Sequence, residues 1–377
     1  MEFNVSSGNL LSALQRASGA VGFNSKLLPI IDNFLLEIRE DIIIVSATNL
    51  DISITTQTEL INSSEKGSIV APSSLLLDTL KNMPDHPINI RVDYEKSLIH
   101  ITSEYGKYTL NGFSAFDFPE LPELPEEGGF KFSAENFEKG FGQTAIAAIS
   151  DEMKKGMQGI YFKVEDGKVT FVATDAHRLI KNVFYSETGG YTTTALLPKK
   201  GLLSALKPLI AAGEDMTIRM NNESIFFETS KGLLTCRLAE GTFPNYEAVI
   251  PAGNPNKLFL DRLDFLSTLK RISLFSNQST YHVHMDLSPQ SLTVSANDLD
   301  FNRSGDEQFP CTYEGEPMVV GFNGRFLVEM LSVLDSEQIR FEIKDAVRAT
   351  LLFPEEQESG QDISMLVMPV SPKPKAK

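Results

Sequence analysis

Three groups of residues combine types and spacings that chemistry could use. Asp175, His177 and Arg178 place an acid, an imidazole and a cation within four residues, the ingredients of an acid–base centre. That triad is not repeated elsewhere, and no serine or cysteine stands in a nucleophile elbow, so peptide binding or packing is the better reading. His282 and His284 are two apart, which on a strand puts both on one face as metal ligands would sit. Neither Cys nor a third ligand lies at metal spacing, and a solvated strand face is expected instead. Asp298, Asp300 and Asn302 open like a calcium loop, but Arg303 stands where the turn needs glycine. No GxxxxGK[ST] phosphate loop exists, so the chain is not expected to hydrolyse ATP. No metal, no cofactor and no catalytic residue is expected.

What remains is charge and repetition. The 377 residues carry 34 Lys+Arg against 50 Asp+Glu, a formal −16, which argues against a basic protein that coats nucleic acid. Cys236 and Cys311 are too few for a disulfide framework. The opening residues lack a basic then apolar leader pattern, and no stretch approaches the ~20 apolar residues of a membrane span. A cytoplasmic protein with no membrane association is expected.

The elements that would position any site recur three times. FNVSSGNLLSALQRAS from Phe3 returns as FKFSAENFEKGFGQTA from Phe130 and as LFLDRLDFLSTLKRIS from Leu258. In each, an alternating strand meets a side chain able to cap a helix, Ser6, Ser133 or Asp261, before apolar residues at helical spacing. A second element leads a strand through Pro72, Pro198 or Asn323 into a short amphipathic helix ending its stripe at Leu80, Leu206 or Leu331. A third comprises VSATNLDISI around Ala47, VATDAHRLIK around Ala173 and VSANDLDFNR around Ala296. Successive copies of each element lie 123 to 128 residues apart. Such ordered repetition predicts copies of one domain, with two helices packed on sheet in each. Prolines at 119, 122 and 125, and at 251 and 255, mark the joins. The expected architecture is α+β, with domains at 1–125, 126–253 and 254–377.

Helices at 8–21, 73–83, 134–148, 199–210, 262–276 and 324–334 would carry +1, 0, −1, +3, +2 and 0, a net +5 against −21 elsewhere. Lys199 and Lys200 open the fourth window and Arg262, Lys270 and Arg271 lie in the fifth. A charge run is usually a solvated face. Equivalent helices in repeated domains face equivalent directions, however, and a basic lining on an acidic body suits a protein that surrounds nucleic acid. Phosphate attraction is independent of sequence and permits sliding.

At this level the chain resembles the bacterial sliding clamps, the β subunits of the replicative DNA polymerase III holoenzyme. The resemblance spans nearly the whole chain. It rests on Leu27 to Ile30 with Asn33 to Leu36, Ala173 to Leu179, Gly241 to Tyr246, Gly321 to Asn323, and Val367 to Pro369. It implies a head-to-tail homodimer whose six clamp domains close a ring around duplex DNA, a non-catalytic processivity factor loaded by a partner. It also implies a hydrophobic cleft for short peptide motifs of the polymerase catalytic subunit, the clamp-loader complex, other polymerases and repair proteins. Carried over by position, that cleft would comprise Met157, Thr174, His177, Arg178, Leu179, Pro244, Val249, Val347, Leu366, Met368, Pro369 and Val370. Thr174, His177 and Arg178 would hold the peptide's backbone or glutamine. The double-stranded DNA would meet Lys26, Lys81, Lys154, Lys155, Lys199 and Lys200. The chain departs from the family pattern at Ala248, where an Arg is common, at Lys155 and Gly156, where tyrosines are common, and at Ser371 to Lys377, where the family often has Arg-Leu shortly after Met-Pro. Two other classes stay open: a peptide-binding scaffold without DNA, and an enzyme with its site around His177.

Overall fold

The strand Glu2–Ser6 passes directly into helix α1 (Ser7–Ala17) because Ser6 keeps an extended backbone and its Oγ accepts the Asn9 N–H at 3.1 Å. The same device starts α3 (Ala134–Ala145), where Ser133 Oγ accepts from Asn136, and α5 (Arg262–Ser273), where Asp261 Oδ1 accepts from Asp264. Of the second helices, α2 spans Ser73–Lys81 and α6 spans Gly324–Ser332, the latter capped by Asn323. The repeat read from the sequence is therefore a repeat of strand-to-cap-to-helix junctions.

The computed structural model describes residues 1–22, 28–63, 65–149 and 154–370. The chain divides into two compact units, Met1–Glu138 with Lys200–Leu238, and Lys139–Lys199 with Ala239–Lys377. The first unit holds an antiparallel five-stranded sheet in the order Asn62–Ser63, Glu2–Ser6, Pro87–Asp93, Leu98–Thr102, Lys107–Asn111. Its other sheet has eight strands, ordered Phe130–Ser133, Asp215–Met220, Ser224–Thr229, Gly232–Arg237, Ile52–Glu59, Ile42–Thr48, Asn33–Arg39, Gly67–Pro72. The second unit's large sheet runs Thr193–Pro198, Gly159–Glu165, Lys168–Thr174, Arg178–Tyr185, Gln361–Val367, Thr350–Pro354, Gln338–Ile343, Asn256–Asp261, Thr312–Glu314. Its four-stranded sheet runs Arg303–Pro310, Ser291–Asp298, His282–Ser288, Met318–Asn323. The two large sheets each join strands of consecutive sequence copies, so the middle copy contributes strands to both. The α+β architecture is as expected; this sharing of sheets is not visible in a repeat.

The third repeated element is a hairpin with fixed turn chemistry. Thr48 Oγ1, Thr174 Oγ1 and Asp298 Oδ1 each accept the backbone N–H two residues on, at 3.0, 3.1 and 3.1 Å. Asn49 and Asp175 then each accept two further backbone N–H groups. Leu50 and Ala176 sit at equivalent positive φ values of 76° and 73°. The apparent calcium loop is thus the third of these hairpin turns, with Asp298 buried.

The fourth helix departs from expectation. In place of 199–210, α4 covers only Leu202–Leu206 and a 3-10 turn comes next at Lys207–Leu209. Gly201 at φ +83° precedes it and Pro208 cannot supply the N–H that would extend it. Lys199 and Lys200 are therefore not helical. At their observed bounds α1 to α6 carry +1, 0, −1, 0, +2 and 0, a net +2 rather than +5.

In the second unit, Gly140 of α3 lets the buried rings of Phe171 and Phe184 reach the helix backbone; a Cβ there would lie 2.7 Å from ring carbons of both. Gly140→Ala adds about 1 kcal/mol of helix propensity but overpacks two buried rings at a cost of about 1–3 kcal/mol. Thermal unfolding should show a net loss of stability; an unchanged or raised midpoint would mean the rings can move aside.

Candidate functional site

The residues proposed for a peptide cleft belong to the second unit. Strand pairing puts Leu179 directly opposite Leu366, and Leu366 opposite Leu351. With Val172 and Tyr246 these form one buried apolar cluster, against which Tyr161, Phe243, Ile250, Ala349 and Phe353 pack. Phe243 stacks on Tyr161 at 5.1 Å. Burial, and then the neighbouring Glu247, push the Tyr246 phenol up to about 12, so it stays neutral at any physiological pH. Beside this floor the chain exposes apolar side chains: Val249 is 56% exposed, Val347 70% and Met368 38%. Pro244 is exposed and Met157, Pro369 and Val370 are half-buried. Met368 N–H donates to the His177 carbonyl at 2.8 Å, and Val370 N–H to that of Gly321 at 2.9 Å. The last described residues thereby join the His177 turn to the edge strand Met318–Asn323.

The three polar residues are used differently from what was expected. Thr174 Oγ1 donates to the Arg178 carbonyl and accepts from Ala176, which occupies it inside its own turn. Arg178 is 6% exposed and engaged on four sides. Its Nε meets Asp175 Oδ2 at 3.1 Å, Nη1 pairs with Glu329 Oε2 at 2.7 Å, Nη2 donates to the Ile146 carbonyl at 2.6 Å, and the guanidinium lies 4.4 Å from the Phe326 ring centroid. Arg178 therefore ties the hairpin to α6 and to the end of α3. Only His177 remains exposed, its ring stacked with Phe326 at 6.3 Å. Asp175 spends one oxygen on the backbone N–H groups of His177 and Arg178 and the other on Arg178. It does not orient the imidazole, so the ingredients of an acid–base centre are present without its geometry.

Burial alone would raise the Glu329 carboxyl, but hydrogen bonding and charge from Arg178, with Arg325 behind it, hold it below the usual range. Glu329, Phe326 and Ile146 had no signal in the sequence, since each meets Arg178 across 32 to 151 residues.

The first unit supplies an internal comparison. Ser53, 126 residues before Leu179, pairs with Thr235 just as Leu179 pairs with Leu366. There the hairpin lines a cavity of about 200 Å³ whose walls are mostly polar, with Ser53, Ser224, Thr235, Asp51, Glu223 and Arg237 beside Leu50 and Pro122. The same backbone arrangement thus has hydroxyls where the second unit has leucines, and a floor of that kind offers an apolar ligand little.

Among the lysines, Lys81 ends α2, half-exposed and 3.9 Å from Asp78. Lys154 and Lys155 are exposed at the short turn leading to Met157, and Lys155 pairs with Glu240 at 3.2 Å. Gly156 is required there, because a Cβ would sit 2.1 Å from the Thr242 carbonyl oxygen; a Cβ on the adjoining Gly241, at φ +118°, would in turn lie 2.9 Å from the Gly156 nitrogen. Lys199 donates its ammonium to the Ala148 carbonyl at 2.8 Å and is half-buried, whereas Lys200 is exposed. Lys26 lies outside the described residues. His282 and His284 do share a strand face, both half-buried, and among the described residues no group of three or more His, Cys, Asp or Glu could hold a metal ion. Both cysteines are free thiols; burial, with Asp51 nearby, pushes that of Cys236 to about 12. Among the described residues no helix is long and apolar enough to cross a membrane.

Three family models match this chain in order: the N-terminal domain of the DNA polymerase III beta subunit over residues 1–122, its central domain over 131–245 and its C-terminal domain over 247–371. The beta sliding clamp of Pseudomonas aeruginosa is 27% identical over 372 residues, covering 98% of this chain and all of the relative; that of Escherichia coli is 25% identical over 371. The crystal structure of the P. aeruginosa DNA polymerase III subunit beta superposes with a TM-score of 0.91 at 26% identity, covering 98% of this chain and 100% of that one. A Bartonella birtlesii clamp bound to griselimycin superposes with a TM-score of 0.86 at 30% identity, covering 98% and 99%.

Proposed function

The chain belongs to the DNA polymerase III beta subunit family, the beta sliding clamps, and on that premise we propose how its own residues serve a non-catalytic DNA clamp. Two copies close head to tail into a six-domain ring around double-stranded DNA, which tethers the replicative polymerase and exchanges it for the clamp loader, other polymerases and repair proteins. The three domains are those at 1–125, 126–253 and 254–377, a division supported by the limits of the family models. Tethering raises processivity through effective concentration, because each re-engagement becomes intramolecular. The setting is the bacterial cytoplasm.

Ring closure finds support in the sheet edges. The five-stranded sheet ends on Lys107–Asn111 and the four-stranded sheet on Arg303–Pro310, each paired on one side only. Open edges of this length template pairing with another chain. Tyr105 and Tyr108 are exposed at the first, and Leu299 and Phe301 lead into the second, while Leu274 and Phe275 at the end of α5 are exposed in the same unit. Pairing the first edge of one copy with the second edge of the next is heterologous, and two such contacts close a dimer.

The observation that carries the partner site is the contrast between Leu179 paired with Leu366 and Ser53 paired with Thr235. It supports one apolar docking site per chain, floored by Leu179 and Leu366 and edged by Met157, Pro244, Val249, Val347, Met368, Pro369 and Val370, with His177 as its exposed polar group. Thr174 and Arg178 hold its shape from behind. Griselimycin, seen bound to the B. birtlesii relative, is a ready probe for that site.

For DNA, Lys81, Lys154, Lys155 and Lys200, with Lys26, are the proposed phosphate contacts. Lys199 positions its neighbour through Ala148. The net +2 of the helices against −18 for the rest of the chain supports a tolerant lining and an exterior that repels DNA. Retention after loading decides between this reading and a scaffold that binds no DNA. The clamp should stay on a nicked circle and run off within minutes once the circle is linearised; equal retention on both, or none on either, would overturn the ring. Lys154→Ala with Lys200→Ala should flatten the plot of log affinity against log salt by about 2, near 0.9 for each lost phosphate contact. An unchanged slope would remove both lysines from the DNA face.

A further inference from the structure

A cavity of about 370 Å³ in the second unit shares no lining residue with the peptide site. Segment 334–338 after α6, loop 354–358 with Gln361, and Gln143 of α3 form most of its wall. The loop is held in shape by Gln357, whose Nε2 donates to the Ile363 carbonyl at 2.8 Å and whose Oε1 accepts the Ile363 N–H at 3.0 Å. Five carboxylates line the cavity, those of Asp335, Glu337, Glu355, Glu356 and Glu358. Lys139 Nζ bridges Asp335, at 3.2 Å, and Glu358, while Arg340 Nη1 lies 2.8 Å from Glu355. Glu337 and Glu356 are exposed and make no ion pair among the described residues. Arg262 spends its guanidinium on the Ser336 and Leu331 carbonyls. The wall also holds buried acceptors that lack a donor. Gln361 is 7% exposed, and its Nε2 donates to Gln143 Oε1 and Asn182 Oδ1, each at 2.9 Å. Facing two oxygens, the amide can present only its nitrogen to them, which leaves Oε1 with no donor among the described residues. Ser336 Oγ, on the same wall, is buried and has no partner either. Polar atoms buried in this way call for a bound donor.

We propose that this cavity binds an extended organic cation with two or more ammonium or guanidinium groups, supplied by a free polyamine or by the basic side chains of a partner peptide. Such groups carry N–H donors and no acceptor, the complement of a wall of carboxylate, amide and hydroxyl oxygens. A single small ion does not fit the arrangement. The carboxylates are dispersed around the cavity, and among the described residues no group of three or more His, Cys, Asp or Glu could hold a metal ion. An extended ligand can meet them one group at a time. Lys139 already does so from within the chain, since its ammonium spans Asp335 and Glu358. Glu337, Glu356 and the Gln361 oxygen remain for the ligand. The formal −16 of the whole chain draws cations to all of its surface. What the cavity adds is acceptors at fixed positions, held there by the Gln357 clamp and by the amides of Gln143 and Asn182.

Two probes test this on the full chain at low salt, where charge pairing is least screened: radiolabelled spermidine in equilibrium dialysis, and a fluorescein-labelled Arg-Gly-Arg peptide in anisotropy titrations. At least one of them should bind saturably, with one ligand per chain. Glu337→Gln with Glu356→Gln should weaken that binding about threefold to tenfold, the sum of two partly exposed charge pairs. Glu95→Gln with Glu104→Gln removes two exposed acids of the first unit and should leave it within twofold. Lys139→Ala frees Asp335 and Glu358 and should tighten it several-fold, whereas Lys66→Ala, in the first unit, should not. Binding of spermidine alone supports a free polyamine as the source, and binding of the peptide alone supports a partner's basic segment. Mutual competition supports one cavity open to both. Binding that fails to saturate, or that both acidic pairs weaken alike, is attraction to a charged surface and overturns the proposal. Saturable binding that is unmoved by the Glu337 and Glu356 substitutions, or by Lys139→Ala, overturns it as well.

Discussion

Arg178→Ala should cost the second unit about 3–5 kcal/mol, the penalty expected when one member of a buried ion pair is removed and its partners stay. Three oxygens lose their cation at once: Asp175 Oδ2, Glu329 Oε2 and the Ile146 carbonyl at the end of α3. Protection of backbone amides in the strand Arg178–Tyr185 against hydrogen exchange should fall by about 10²- to 10⁴-fold. A loss under about 1 kcal/mol would show that water replaces the guanidinium without penalty. The double variant Arg178→Met with Glu329→Met should be milder than Arg178→Met alone, because one of the two stranded carboxylates is gone and only Asp175 keeps its charge.

The same residue predicts a pH dependence. Glu329 is held below its ordinary value of 4.5 in the folded chain, so its ion pair stabilises fully above that value and the contribution is lost as pH falls through the lower folded value. Without Arg178, burial still raises the Glu329 carboxyl and only Arg325 opposes it, so the folded value moves back up and the ion-pair contribution shrinks. The stability gap between the natural chain and Arg178→Ala should therefore be widest near neutrality and narrow below pH 4.5. A gap that is constant with pH would mean that Glu329 does not sense Arg178.

How much of this is legible in the sequence depends on the range over which each signal acts. Ser6, Ser133 and Asp261 are readable as caps because each bonds an N–H only three residues on. The hairpin around Ala173 is readable as a repeat of that around Ala47, since Thr48 and Thr174 close the same turn. Arg178 misleads for the opposite reason. It stands where Ile52 stands in the first copy, and charge alone points to exposure. The acid that keeps it buried, Glu329, comes from helix α6, 151 residues away. The length of α4 misleads because an apolar stripe from Leu202 to Leu209 continues through Pro208, which periodicity counts but hydrogen bonding does not. The sharing of sheets between copies leaves no local signal. It depends on pairings such as Leu234 with Ile54, separated by 180 residues.

Deleting Met368 to Lys377 should abolish stimulation of the polymerase while the chain stays folded, and deleting only Ser371 to Lys377 should not. The strand Gln361–Val367 lies between Arg178–Tyr185 and Thr350–Pro354, so it keeps both ladders when the residues after Val367 are removed. Leu366 stays in the floor. The longer deletion removes two backbone hydrogen bonds, at His177 and Gly321, each contributing about 1 kcal/mol. That is small beside the buried core of the unit, and the circular dichroism spectrum should be unchanged. The edge of the site loses more. Met368 is an adaptable apolar side chain, and with Pro369 and Val370 it offers a ligand surface whose loss should weaken peptide binding by about 10- to 100-fold, or 1.4–2.7 kcal/mol. Stimulation retained by the longer deletion would move the partner site away from Leu179 and Leu366. Stimulation lost in both deletions would place an indispensable contact in Ser371 to Lys377, because the shorter deletion leaves Met368, Pro369 and Val370 in place.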